Sequence, residues 1–175
     1  GAKAGVLFRN AEAIQQTGHL RYIVCDKTGT LTKGNPEVLA LKLSEGVDET
    51  SFLSYVQSVV QLSEHPLSES ILSFCRKKNI KNQHVDHFES SFGKGIKASI
   101  GGVTICLGSL RFMEEMKIQG DFTLLTKSKE SLVAVAVDGI FKGGFTITDP
   151  IKESSISAID HLMKLGLEFF LLTGD

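Results

Sequence analysis

The sequence predicts an α/β domain with a parallel sheet, interrupted by an inserted α+β lobe, and three features predict it. Near the start, the apolar run "YIVC" ends abruptly in "DKTGT", which is how a strand buried on both faces and closed by a tight turn reads. Near the end, "LEFFLLTGD" repeats the pattern, an apolar strand ending in a hydroxyl, a glycine and a carboxylate. Between them the periodicity changes to two helices and then to short β-like runs broken by Gly-Gly and Asp-Gly pairs, the signature of antiparallel hairpins. The two strands with polar tips fit side by side in one parallel sheet, whose carboxyl ends are where chemistry is placed. The intervening stretch is then a separate lobe.

The elements follow in order. "GAKAGVLFRNAEAIQQTGHL" begins with small residues and holds a short strand and a helical turn ahead of the strand from Arg21 to Cys25. After the Thr-Gly-Thr turn, "PEVLALKL" is a strand. "DETSFLSYVQSVVQ" then sets Phe52, Val56, Val59 and Val60 on one helical face behind Asp48 as a cap. "SEHP" interrupts, and "PLSESILSFCRKKN" restarts a helix with Pro66 in its first turn and Leu67, Ile71 and Phe74 inside. From His84 to Gly108 the runs are β-like, with a hairpin at Gly101-Gly102. "SLRFMEEM" is a brief helix, and "SLVAVAVDGIFKGGFTI" is a second hairpin around Asp138-Gly139. "TDPIKESSISAIDHLMKLG" predicts a helix capped by Asp149, with Pro150 at its first position, a stripe of Ile156, Ile159, Leu162 and Met163, and Gly166 as its stop.

Composition limits the function. The 175 residues carry 19 Lys and Arg against 20 Asp and Glu, so nothing in the overall charge suggests a nucleic-acid groove or an anionic membrane surface. Three widely spaced cysteines, Cys25, Cys75 and Cys106, argue against a disulfide framework or a zinc finger and for an intracellular chain of core thiols. The longest late apolar run, Phe169 to Leu172, is far too short to cross a bilayer, and the start lacks a signal-peptide pattern.

A carboxylate at a strand end can attack phosphorus and form an aspartyl phosphate. Such a transfer depends on positioning and charge stabilisation by a divalent metal, backbone amides and hydroxyls. Asp26 is the candidate nucleophile, with Thr28, Gly29 and Thr30 on one side and Thr173 and Gly174 on the other. An Asp-x-Thr-Gly string alone is ordinary turn chemistry; the full "DKTGTLTK" together with a second strand ending in "TGD" favours the chemical reading.

These motifs carry a family resemblance. "DKTGTLT" at Asp26 to Thr32 resembles the phosphorylation motif of P-type ATPases, and "LLTGD" at Leu171 to Asp175 their second motif. "SEHPL" at Ser63 to Leu67 resembles the His-Pro motif of the heavy-metal-transporting branch, and "GKGI" at Gly93 to Ile96 its Gly-x-Gly loop. "GNPEV" after the phosphorylation motif inclines toward copper pumps over zinc and cadmium pumps. The likeness covers nearly the whole chain. One departure is Ser109, where the family usually has an asparagine after the glycine of "LGS".

The resemblance implies an incomplete Rossmann-like, haloacid dehalogenase-type phosphorylation domain at 1–34 and 141–175, with an inserted nucleotide-binding domain at 35–140. It implies ATP and Mg2+ as cofactors, Asp26 as the phosphorylated nucleophile, and the Thr28 carbonyl beside it on the metal. Lys27 is set to offset phosphate charge, while Thr173, Gly174 and Asp175 close around the phosphoryl group. Glu64 and His65 approach the adenine, and Gly93 and Gly95 give the nucleotide close backbone access. Hinges are expected near Gly34 to Pro36 and Val137 to Asp149. The intact pump sits in a membrane with this region facing the cytoplasm, exports a heavy-metal cation, and adds membrane and actuator domains as partners. The family's later Gly-Asp-Gly-x-Asn-Asp motif and phosphate-binding lysine do not occur, so the piece alone is expected to be inactive. It is also expected to leave an exposed sheet edge around Arg21 to Cys25 and Leu167 to Leu172.

Two alternatives remain. A phosphatase of the haloacid dehalogenase type shares the aspartate and the sheet, although it usually has an aspartate two residues beyond the nucleophile, where Thr28 stands. A nucleotide-binding module without turnover is the other.

Overall fold

The structure, a computed structural model, describes residues 6–126 and 130–172. The chain divides into two compact units, Gly1–Gly34 with Ile151–Asp175, and Asn35–Pro150.

The first unit holds helix α1 (Ala11–Thr17), strand β1 (Tyr22–Asp26), a turn at Lys27–Leu31, helix α6 (Glu153–Lys164) and strand β8 (Glu168–Leu172). β1 and β8 are parallel, with Tyr22 opposite Glu168 and Asp26 opposite Leu172. The two apolar strands therefore lie side by side as their shared pattern predicts.

The second unit is a six-stranded antiparallel sheet in the order β2-β7-β6-β5-β4-β3, built from β2 (Glu37–Leu43), β3 (His87–Ser91), β4 (Gly95–Ile100), β5 (Val103–Gly108), β6 (Ser131–Val137) and β7 (Ile140–Thr148). Helices α2 (Glu49–Val60) and α3 (Pro66–Arg76) supply a core on one face through Leu53, Val56, Val59, Ile71 and Cys75, which meet Ile105, Leu107, Val133, Val135 and Phe145. Phe145 packs against Phe52 and Phe74 at centroid distances of 6.1 and 6.0 Å. A smaller cluster of Cys106, Phe112, Met113, Leu125, Ala134, Ala136 and Phe141 forms on the other side, with α4 (Leu110–Glu115) and α5 (Thr123–Thr126) contributing. This two-sided burial accounts for the unbroken "LVAVAV" run: successive strand residues alternate faces, so valines enter one core and alanines the other.

The starts of the helix pair are those the sequence predicts. Asp48 accepts from Ser51 N at 2.8 Å, an interaction that holds its carboxyl below the usual value, and Pro66 opens α3.

Three expectations are corrected. The second division belongs at 150/151 rather than 140/141, because β7 is paired with β6 on one edge as far as Ile147 and with β2 on the other as far as Thr148. The hinge segment from Val137 to Asp149 is likewise mostly ladder-bound strand, which leaves Asp149 and Pro150 as the connection. The last helix begins at Glu153 behind Lys152, not at Pro150; Asp149 instead accepts from the Asn35 N–H at 3.3 Å. That bond ties together the two places where the chain passes between units.

Candidate functional site

The turn after β1 is held by its own motif residues and by one lysine from far along the chain. Thr32, buried, accepts from Gly29 N at 3.0 Å and donates to the Lys27 carbonyl at 3.2 Å, while its own N–H reaches the same carbonyl. Gly29 takes φ 75, a conformation that favours glycine. Lys152 places its ammonium on the carbonyls of Gly29 (2.9 Å) and Thr30 (3.1 Å), and its N–H donates to Leu31 O at 2.9 Å. Thr32 also bridges Ile151. Asp26 stands at the entrance of this turn in extended backbone, and its side chain makes no capping hydrogen bond there. Asp26, Lys27 and Thr28 are thus consecutive at the carboxyl end of β1, as predicted. Thr173, Gly174 and Asp175 lie outside the described residues.

In the second unit, Glu64, His65, Gly93 and Gly95 line one cavity of about 700 Å³, with Ser109 and Lys94 beside them and an apolar floor that includes Ile71, Ile96, Leu107 and Val133. That volume falls in the range of small-molecule sites, and an apolar enclosure with a few polar groups is their usual composition. His65 is the N-cap of α3: its Nδ1 accepts from Leu67 N at 3.2 Å, and its own N–H reaches Ser63 Oγ at 3.3 Å. An imidazole accepting at Nδ1 keeps Nε2–H as its donor. Ser68 donates to Ser63 at 2.9 Å, so the "SEHPLS" stretch is folded into one capped turn.

The two glycines of the Gly-Lys-Gly loop differ in role. Gly93 has φ 68 with open space where a side chain would start, and it makes the turn between β3 and β4. At Gly95 a Cβ would lie 2.4 Å from Leu107 O and 2.5 Å from the Phe112 ring. Close packing of two strands and an aromatic ring therefore requires glycine at 95 whatever the cavity holds.

Lys94 is tethered by Glu115 at 2.7 Å, and this hydrogen bond is the main reason the Glu115 carboxyl sits below its ordinary range. Ser109 lines the cavity while capping α4, accepting from Phe112 N at 3.2 Å. The hydroxyl thus has a local function that the usual asparagine is also able to fill.

The sequence reading missed Lys152, Thr32 and Phe92. Lys152 acts over a separation of 123 residues, which no local pattern records. Phe92, also on the cavity lining, was available only as an aromatic directly before the Gly-Lys-Gly loop.

Among the described residues no three His, Cys, Asp or Glu side chains cluster as a metal site, and no helix is long and apolar enough to cross a membrane.

Comparison with known proteins agrees with this arrangement. The chain is 36% identical over 179 residues to a copper-exporting P-type ATPase of Vibrio cholerae, covering 99% of this chain and 20% of that protein. It is 34% identical over 180 residues to a silver-exporting P-type ATPase of Salmonella typhimurium, covering 100% and 22%. It therefore spans about a fifth of the length of these relatives. Among solved structures, a zinc-transporting P-type ATPase matches with a TM-score of 0.79 at 26% identity, over 99% of this chain and 29% of that one. The family model described as haloacid dehalogenase-like hydrolase matches residues 20–175, a span that contains both the Asp26 turn and the inserted lobe, and the chain belongs to that family.

Proposed function

We infer that this chain is the ATP-binding and phosphorylation region of a P-type ATPase that exports a heavy-metal cation, with copper the favoured cargo. The observation that carries the reading is the pairing of two features in one chain. One unit ends a parallel strand in Asp26-Lys-Thr-Gly-Thr, and the other folds "SEHPL" and "GKG" around a single cavity. Similarity to copper- and silver-exporting pumps supports the cargo.

In this mechanism ATP enters the lobe at 35–150, with its base toward His65 and Glu64 and its phosphates leaving past the Gly93–Gly95 turn. A carboxylate oxygen of Asp26 attacks the γ-phosphorus, forming a P–O bond to the side chain. The bond from the γ-phosphorus to the bridging oxygen breaks, and ADP departs with that electron pair. Lys27 offsets phosphate charge; Thr173, Gly174 and Asp175 are assigned to the phosphoryl group. The residues fit Mg2+: the Asp26 carboxylate and Thr28 carbonyl are hard oxygen donors, and such an ion takes few protein ligands, filling its sphere with phosphate oxygens and water. Thr28 has φ −76 and ψ 124, so its carbonyl does not run along the turn axis as a helical one would. When bound, the ion neutralises charge developing on the transferred group.

Thr28 in place of a second aspartate, together with the inserted cavity, weighs against the phosphatase alternative. The test is phosphorylation of the full-length protein by ATP. An acid-stable, hydroxylamine-labile label that disappears in Asp26→Asn is expected, and unchanged labelling in that variant would remove Asp26 from its role.

A further inference from the structure

Phe92 is 100% exposed, although a phenylalanine ring ordinarily takes a large share of burial. It stands one residue beyond β3, immediately before the Gly93 turn. Side chains two apart share a strand face, and Phe88, Ser90 and Phe92 all line the cavity that holds His65. Phe88 is half-buried against the main core. Phe92 alone offers a whole ring face, and the two are the aromatic residues of the described lining.

A purine is a flat, apolar face with a polar edge. The cavity supplies an edge partner in His65, whose Nδ1 is occupied by Leu67 N and whose remaining donor is Nε2–H. It supplies an apolar floor, and at its rim an unused aromatic ring. We propose that Phe92 is the platform on which the base of the bound nucleotide stacks. This rests on the nucleotide-site reading above and divides its recognition in two. Stacking on Phe92 contributes affinity indifferent to which base is present, since every base has a π-face, whereas contacts at the base edge discriminate among bases.

The chain contains no tryptophan, so Phe92→Trp installs a single reporter at the stacking position. Its fluorescence is expected to be quenched by ATP and GTP and untouched by inorganic tripolyphosphate, which has no base. In calorimetric titration Phe92→Ala is expected to lower affinity for both nucleotides by roughly tenfold, leaving their ratio and the melting temperature unchanged. His65→Asn is expected to reduce the ratio itself. If Phe92→Ala binds ATP as the unaltered chain does while His65→Asn binds it less well, Phe92 is not the platform and the nucleotide site stands. Quenching by tripolyphosphate equal to that by ATP also overturns the stacking. If the unaltered chain binds neither nucleotide, the site reading falls and the platform with it.

Discussion

Because the Nδ1 of His65 accepts the Leu67 N–H at 3.2 Å, alanine at this position would remove a helix cap as well as a candidate base contact. Asparagine keeps a cap acceptor and loses the ring. His65→Ala is therefore expected to cost about 1 kcal/mol of stability in addition to nucleotide affinity, while His65→Asn loses the affinity with little change in melting temperature. Thermal melts read beside titrations separate the two; equal melting losses would mean that the cap is not the relevant difference. The glycines of the adjacent loop separate similarly. Gly95→Ala sets a methyl against Leu107 O and Phe112, an overpacking that costs about 1–3 kcal/mol. Gly93→Ala, with open space but φ 68, bears only the left-handed backbone penalty of roughly 1 kcal/mol. Denaturant midpoints check this order. The sequence showed that Gly93 and Gly95 matter, but it assigned both to the ligand. The packing demand at 95 comes from a strand partner and a ring 17 residues away along the chain, which no spacing rule within "GKG" contains.

At the scale of elements, the helix pair and both hairpins were legible because their signals are local: the 3.6-residue stripe of α2, Pro66 opening α3, and the Gly101-Gly102 and Asp138-Gly139 turns. The start of α6 was not legible. Asp149 and Pro150 have the residue types of a cap and a first turn, yet the carboxylate is engaged with Asn35 N, a bond between residues 114 apart that competes with local propensity. The same limit applies to the turn after β1, whose motif suggested its proposed role while its fastening by Lys152 remained hidden. Lys152→Met removes the ammonium from two carbonyls of the turn. In the full-length protein this variant is expected to take up phosphate from ATP more slowly, with ATP affinity measured on the 175-residue chain unchanged. Lys152→Arg, which keeps the donor charge, is expected to recover part of the rate. Unaltered labelling kinetics in Lys152→Met would show that the turn holds its shape without the lysine.

On the scale of the whole chain, all the fully buried apolar side chains among the described residues belong to 35–150. The β1–β8 pair instead leaves Val24 57% and Leu172 61% exposed. A two-stranded sheet is marginal by itself, whereas six strands packed on both faces have a core of their own. Hydrogen exchange is expected to show slow amides in α2, β5, β6 and β7 and fast ones in β1 and β8, with the isolated 35–150 segment retaining the slow set. Equal protection across both units in a monomer would contradict this division. Its second boundary escaped the sequence reading because the hairpin signal at Asp138-Gly139 shows that "IFKGGFTI" is a strand but not which unit it joins, and the pairing with β2 that holds it in the inserted lobe is recorded by no local pattern.

Whether the inserted lobe is an adenine-nucleotide site is decided by calorimetric titration of the 175-residue chain with ATP and with GTP, repeated on His65→Asn. Saturable 1:1 binding that prefers ATP is expected, with both the affinity and the preference reduced in the variant. Absence of binding, or binding indifferent to base and to His65, would contradict it and leave "SEHPL" as a helix cap alone.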